Sequence, residues 1–188
     1  MGNDNFQLNA IGGVELSSVA KGMEAADAML KTADIKLLLS RSICAGKYIA
    51  LIAGDVGAVS AAVEAGSAKA AHSLVDSFVI PNIHPEVFPA IEGTTVVDGL
   101  ESLGIIEAFS VAALIEAADA AVKAGNVKLL EIRLAMALGG KAFVTMTGSV
   151  AAVETAVAAG AAVAGKKGLL VEKVVIPQPR QELLREII

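Results

Sequence analysis

The sequence is poor in aromatic residues: tryptophan is absent, and aromatic side chains make up 3% of the 188 residues. Hydrophobic residues nevertheless reach 55%, so Ala, Val, Leu and Ile carry the apolar mass. Few side chains are present on which nucleic-acid bases or sugar rings could stack. The abundance of small aliphatic side chains favours close packing of helices on sheets and flat contacts between subunits.

The chain also lacks an excess of basic residues. Fifteen Lys and Arg are outnumbered by twenty Asp and Glu, which gives a formal net charge of −5. Proteins that bind nucleic acid carry a clustered basic face. We therefore expect no nucleic-acid partner.

Long hydrophobic runs are missing as well. The longest stretch without a charged residue covers residues 142–153, which is twelve residues. A membrane-spanning helix needs about 18–20. Residues 1–5 are polar and acidic, unlike the basic start of a signal peptide. The sequence therefore predicts a soluble, cytoplasmic protein with no membrane partner.

Cysteine occurs once, at Cys44, in the segment Ser-Ile-Cys-Ala-Gly-Lys of residues 42–47. One cysteine excludes an intrachain disulfide and an intrachain CxxC zinc or redox motif. It does not exclude a metal site assembled from several copies of the chain. Taken alone, a single cysteine is most often a small buried hydrophobic residue without reactivity.

The chain contains an internal repeat. Residues 11–43 align with residues 103–135 at a constant offset of 92, with 15 of 33 positions identical. The offset becomes 94 at Gly46-Lys47 and Gly140-Lys141, so the second central loop is predicted to be two residues longer. A period of this length indicates a duplicated small domain. The predicted domains are residues 9–93 and 102–188, separated by a segment rich in glycine and polar residues.

Each half has the pattern of strand, helix, strand, strand, helix, strand. In the first half the predicted strands are 11–16, 36–43, 47–53 and 74–80, and apolar residues recur at helical spacing over 21–33 and after residue 55. Asp55 and Ser149 stand where helix N-caps belong, and a short helix is predicted over residues 85–91. The fold class is therefore α+β, with two tandem ferredoxin-like βαββαβ domains, each an antiparallel sheet with helices on one face.

Three segments of the first half carry a resemblance to a known family. They are Glu-Ala-Ala-Asp-Ala at 24–28 with Lys31, Gly-Asp-Val-Gly-Ala-Val at 54–59, and Val-Ile-Pro at 79–81. These segments resemble the bacterial microcompartment shell domain (BMC domain), and their recurrence resembles the tandem-domain class. The resemblance implies a structural, non-enzymatic homotrimer that forms a pseudo-hexameric tile. Such tiles join other microcompartment shell proteins in the shell of a cytoplasmic organelle.

Within the tandem class, Ile-Cys-x-Gly-Lys around Cys44 resembles the propanediol-utilisation T type. That resemblance implies that Cys44 is the metal ligand of a [4Fe-4S] cluster, one per trimer, at a central pore. Four thiolates normally hold such a cluster, so three copies of Cys44 leave one iron to an outside ligand. Electron transfer across the shell, with encapsulated redox enzymes as partners, follows from this expectation. The implied pore-loop residues are Ser42, Ile43, Ala45, Gly46, Met136, Ala137, Leu138 and Gly139.

The resemblance also implies that Lys31 and Lys123 lie at the tile edge, whereas their position near predicted helix ends is equally explained by the helix dipole. The sequence departs from the subgroup at Ala45, where proline is usual, and from many shell proteins at Asn82 and Gln178, where arginine is common.

Two other functions stay open. One is a shell tile with a metal-free pore for a small metabolite. The other is a ferredoxin-like regulatory module that binds a small ligand, because fold alone does not determine function. No catalytic residues are predicted, since no histidine is placed beside Cys44 as a base. Glu15 and Glu107 are expected to be hydrogen-bonded structural carboxylates.

Overall fold

The computed structural model describes residues 8–96, 99–134, 139–180 and 182–183, and the chain divides into two compact units, Met1–Ile83 and His84–Ile188. The first unit follows the predicted order of elements closely. Its elements are β1 (Ala10–Leu16), α1 (Val19–Thr32), β2 (Lys36–Ile43), β3 (Lys47–Gly54), α2 (Val56–Ala70) and β4 (Leu74–Pro81).

The second unit begins with one short helix and then repeats that order. Its elements are α3 (Val87–Glu92), β5 (Ser102–Ala108), α4 (Val111–Ala124), β6 (Lys128–Leu134), β7 (Ala142–Thr147), α5 (Val150–Lys166) and β8 (Leu170–Pro177). The predicted α+β class is confirmed in both halves.

The sequence predicts that the first helix begins at Lys21, whereas α1 begins two residues earlier. Ser18 caps this helix, because its side chain accepts a hydrogen bond from the Lys21 backbone N–H at 3.4 Å.

Each unit contains one four-stranded antiparallel sheet. The strand orders are β2-β3-β1-β4 and β6-β7-β5-β8, so the first and third strands of each unit occupy the centre. This is the predicted ferredoxin-like order. It places the hairpin between the second and third strands, which carries the central loop, at one end of the sheet and near its edge.

One core cluster of the first unit lies on the face of the sheet that the helices cover. In the first unit, alternate residues of β1 (Ala10, Val14 and Leu16) pack with Met29 of α1 and Val59 of α2. Every second side chain of a strand lies on the same face of the sheet, which explains this two-residue spacing. The two long helices of each unit also pack against each other, α1 with α2 and α4 with α5.

The second long helix of each unit begins with a side-chain N-cap, so the repeat includes the helix caps. The predicted caps at Asp55 and Ser149 are confirmed, since Asp55 accepts a hydrogen bond from Gly57 N–H at 2.9 Å and Ser149 accepts one from Ala152 N–H at 3.3 Å.

Within the described residues, no helix is long and apolar enough to cross a membrane.

Helix α3 lies in an unexpected place. The sequence assigns it to the first half of the chain, within residues 9–93, yet it packs against α4 and β6 in the second compact unit. Its buried residues are Val87, Phe88 and Ala90. The segment that follows the last strand of one domain therefore covers a helix and an edge strand of the next domain.

Candidate functional site

The loop that carries the cysteine is a tight turn between β2 and β3. Ile43 and Lys47 are the last paired residues, and Cys44–Gly46 forms a single 3₁₀ turn between them. Gly46 has a φ of +71°, a left-handed conformation that glycine adopts without steric cost. No atom lies within 4 Å of the position its Cβ would take, so backbone conformation rather than crowding requires glycine here.

The turn places the cysteine at the end of the sheet. Cys44 is half-buried and follows the buried Ile43, whereas Ser42 and Gly46 are exposed. Among the described residues, no group of three or more His, Cys, Asp or Glu side chains is placed to hold a metal ion. One chain therefore supplies a single thiolate at this turn, and a thiolate-bound metal centre at Cys44 needs ligands from other molecules.

The second central loop differs from the first. Leu134 pairs with Ala142, whereas the equivalent Ser42 pairs with Tyr48, so the second connection is longer by two residues, as predicted. Gly139 and Gly140 have φ values of +62° and +89°. The predicted pore-loop residues Met136, Ala137 and Leu138 lie outside the described residues.

An ion pair lies beside each central loop. Lys47, the first residue after the turn, donates to Glu15 with an Nζ–Oε1 distance of 2.7 Å, and the Glu15 side chain is only 11% exposed. The second unit repeats the contact between Lys141 and Glu107 at 2.5 Å, with Glu107 25% exposed. The two glutamates are therefore ion-paired structural groups, as predicted. The lysine next to the cysteine turn is held by a carboxylate on β1.

Removing the lysine of this pair is expected to destabilise the protein. In Lys47→Met the Glu15 carboxylate keeps its buried position and loses its partner, which costs about 1–3 kcal/mol of unfolding free energy. Lys141→Met is expected to cost less because water reaches Glu107 more easily. Urea unfolding at one fixed protein concentration compares the variants. Equal losses at both sites would contradict this explanation.

The two predicted tile-edge lysines have matching local partners. Lys31 donates to Asp27, and Lys123 donates to Asp119, each one helical turn earlier at 2.6 Å. Their partners differ in setting, because Asp27 is exposed whereas Asp119 is buried.

Sequence reasoning missed a further role of Asp119. Its Oδ1 accepts a hydrogen bond at 2.7 Å from the backbone N–H of His84, just before α3. The carboxylate thus fixes the start of the segment that covers α4. The signal that could have revealed it is an aspartate retained in both copies of the Glu-Ala-Ala-Asp-Ala motif, on the outer side of the helix.

A second feature that the sequence did not reveal is a cavity of about 420 Å³ in the second unit. It is mainly apolar, and its polar border includes Arg133, which pairs with Glu131 at 2.8 Å and lies over the Phe143 ring at 5.5 Å. Thr145 also lines the cavity, and its buried Oγ1 makes no hydrogen bond to another described residue. Leu183 closes one side. Among the residues that the structure describes, the carboxylates of this lining are not grouped to hold a metal ion.

Comparison with known proteins agrees with this arrangement. The BMC domain model matches residues 10–83 and 102–179. The bacterial microcompartment shell protein PduT of Citrobacter freundii is 50% identical over 179 residues, which are 95% of this chain and 97% of that protein. The crystal structure of a microcompartment protein from Desulfitobacterium hafniense DCB superposes with a TM-score of 0.92 at 54% identity, covering 95% of this chain and 99% of the other.

A shorter relative matches one domain only. The microcompartment shell protein PduA of Citrobacter freundii is 40% identical over 84 residues, which are 44% of this chain and 90% of that protein. The repeat, the strand order of both units and the nearly full-length matches together lead to one conclusion: the chain belongs to the BMC-domain family of bacterial microcompartment shell proteins and carries the domain twice.

Proposed function

We propose that this protein is a structural tile of a microcompartment shell, built from three copies of the chain arranged as a pseudo-hexamer. The observation that carries the proposal is the duplication: two units with the same strand order, each with its central hairpin at the corresponding end of its sheet. Three two-domain chains provide six such units. Single-domain shell relatives such as PduA support other shell proteins as partners.

We further propose that the three Cys44 thiolates meet at the centre of the tile and hold one [4Fe-4S] cluster. The cysteine's position at the end of a hairpin, half-buried, suits this role, and thiolate is the ligand that iron–sulfur clusters prefer. One ligand per chain also requires a symmetric assembly, because the described part of the chain contains no group of acidic, histidine or cysteine side chains placed to complete a metal site. A bound cluster supplies one-electron transfer, here across the shell toward encapsulated redox enzymes.

A tile without metal is the second candidate. The observation that favours it is the incomplete ligand set, since three thiolates leave one iron to a ligand from outside the protein. Protein prepared without oxygen distinguishes the two candidates by thiol alkylation. A tile with a cluster protects Cys44 from alkylation, whereas a metal-free pore leaves three reactive thiols per trimer.

The tile itself is tested by assembly. Sedimentation velocity at micromolar concentration is expected to give a single species with the mass of three chains. Mixed with a single-domain shell protein, this trimer is expected to enter extended sheets or closed shells seen by electron microscopy. A monomer that stays outside such assemblies would contradict the proposal and favour a ligand-binding module.

A further inference from the structure

We propose that β8, together with the groove between β8 and α5, binds an extended peptide segment of a partner protein by strand addition. The segment carries a basic and an acidic side chain at alternate positions, and its backbone pairs with the outer edge of β8. The site lies within the second unit. The proposal therefore goes beyond the shell tile and depends neither on the trimer nor on the metal. It gives the tile a place at which another protein attaches.

Strand β8 has an unpaired side in the described part of the chain. It lies at the edge of its sheet, where it pairs with β5 alone. Alternate residues of an edge strand direct their backbone N–H and C=O groups away from the sheet. The N–H of Lys173 donates to Glu172 Oε1, a side chain outside the ladder, at 2.9 Å. The Glu172 carboxylate thus occupies the place that the carbonyl oxygen of an added strand would take.

The first unit repeats this hydrogen bond. At an offset of 96, which the strands β4 and β8 share, Ser77 is the equivalent of Lys173 and Asp76 is the equivalent of Glu172. Ser77 N–H donates to Asp76 Oδ1 at 2.8 Å. Charged side chains on an edge strand oppose indiscriminate pairing between sheets. Both edges are therefore capped by a carboxylate, and a strand that binds there has to displace it.

A groove of about 250 Å³ lies beside this edge, between β8 and α5. Apolar side chains from both elements line it: Val157, Ala158, Val174 and Val175. The two elements meet closely at Gly104, which pairs with Val175, because a Cβ on Gly104 would lie 2.8 Å from Val157 Cγ2. Small-molecule sites usually measure about 300–1,000 Å³. This groove therefore suits the side chains of a peptide better than a whole cofactor.

Opposite charges flank the groove. Glu154 and Lys173 line it, both are exposed, and neither forms an ion pair within the residues that the structure describes. Residues 167–169 connect α5 directly to β8, so the two elements run in opposite directions and Glu154 lies toward the Val175 end of the groove. These charges select an occupant whose basic side chain faces Glu154 and whose acidic side chain faces Lys173.

The spacing of these groups specifies the sequence of the occupant. Lys173 and Val175 lie on one face of β8, separated by one residue, and an added strand has the same alternation of side chains. An antiparallel segment therefore carries its basic residue first, any residue next and its acidic residue third. The first unit does not offer this pair of charges, because Ser60 and Ser77 stand at the positions of Glu154 and Lys173.

The test is a fluorescence-anisotropy titration of the full chain, at low ionic strength, with the labelled peptide Val-Thr-Lys-Thr-Asp-Thr-Val. Valine and threonine favour the extended conformation. We expect Lys173→Glu to weaken binding about 10-fold, because an attraction between two charges becomes a repulsion. The charge-exchanged peptide Val-Thr-Asp-Thr-Lys-Thr-Val is expected to bind the wild type about 10-fold more weakly as well. It should regain affinity in the double variant Glu154→Lys, Lys173→Glu.

Controls identify the surface and the mode of binding. Ser77→Glu adds the same charge at the equivalent position of β4 and is expected to leave binding unchanged. Lys173 and Ser77 are both exposed, so neither substitution should disturb the fold. Glu172→Ala removes the cap of the Lys173 N–H, and we expect peptide affinity to rise about 3-fold, whereas Asp76→Ala should not change it. N-methylation of the peptide backbone should abolish binding, because strand addition requires the peptide N–H groups.

Four results would overturn the inference. Equal affinity of the wild type for the original and the charge-exchanged peptide shows that Glu154 and Lys173 do not select the occupant, and this comparison needs no variant to fold. Retained binding of the N-methylated peptide excludes strand addition. A loss of affinity in Ser77→Glu as large as in Lys173→Glu places the site away from β8. No binding of any peptide to a protein that is trimeric in sedimentation velocity removes the site and leaves the tile proposal standing.

Discussion

Replacing Cys44 with serine is expected to remove all bound iron and the broad visible absorption of an iron–sulfur cluster. A serine hydroxyl is a hard, weakly acidic ligand that does not substitute for thiolate at such a centre. Because the proposed ligand set takes one thiolate from each of three identical chains, a single substitution removes every protein ligand of the proposed cluster at once. We therefore expect the variant to contain no iron, rather than a reduced amount of iron.

The same substitution is expected to leave the fold and the trimer intact. Serine is close in size to cysteine, and the residue occupies a half-buried turn rather than the core. Ser42→Ala, two residues away at an exposed position of the same hairpin, is the matched control and should retain full iron content. Iron that persists in Cys44→Ser, or disappears equally in Ser42→Ala, would contradict the assignment of Cys44 as the ligand.

The second large effect is expected from Gly160→Ala, in the contact between α4 and α5. A Cβ at this position would lie 2.5 Å from the backbone oxygen of Ala117 and 2.7 Å from Ile106 Cδ1. The backbone of Ala117 cannot move aside unless the whole of α4 shifts. The overpacked contact should therefore lower the unfolding free energy by about 2–3 kcal/mol.

Gly66→Ala, at the equivalent position of the first unit, is the matched control. There the nearest atoms are Cγ and Sδ of Met29, at 2.6 and 2.8 Å, which belong to a flexible side chain. Because alanine also favours the helix by about 1 kcal/mol, the net change should be close to zero. Urea unfolding followed by circular dichroism at one protein concentration measures both variants. A loss at Gly66 as large as at Gly160 would contradict this packing argument.

Local features of the fold could be read from the sequence because local chemistry determines them. The apolar periodicity located the four strands of the first sheet, and the repeat predicted four more in the second half. The caps at Asp55 and Ser149 followed from side chains that accept backbone hydrogen bonds. The change of offset at Gly46 and Gly140 correctly predicted a longer second loop. Duplication strengthened each of these predictions, since every pattern occurs twice.

The position of α3 could not be predicted, because no local pattern states which unit a short apolar helix covers. The difference between Met23 and Ile115 is likewise invisible in the sequence, since both residues are apolar at the same repeat position. Only the packed structure shows that one is exposed and the other buried. The roles of Asp119 and His84 were missed for the same reason: their contact joins residues 35 positions apart.

The candidate metal site is also beyond what one chain can reveal. The sequence singled out Cys44, and the structure adds its place at the end of a hairpin, but the other ligands in our proposal belong to other copies. In our proposal, the symmetry of a trimer brings three copies of the one cysteine together. The central claim therefore concerns the assembled trimer.

The most direct measurement is iron and acid-labile sulfide per trimer in wild-type protein purified without oxygen. The account predicts about four iron and four sulfide ions for every three chains, together with a visible absorption that disappears on oxidative loss of the cluster. A trimer that contains no iron or sulfide under these conditions, and in which all three Cys44 thiols react with an alkylating reagent, would contradict it.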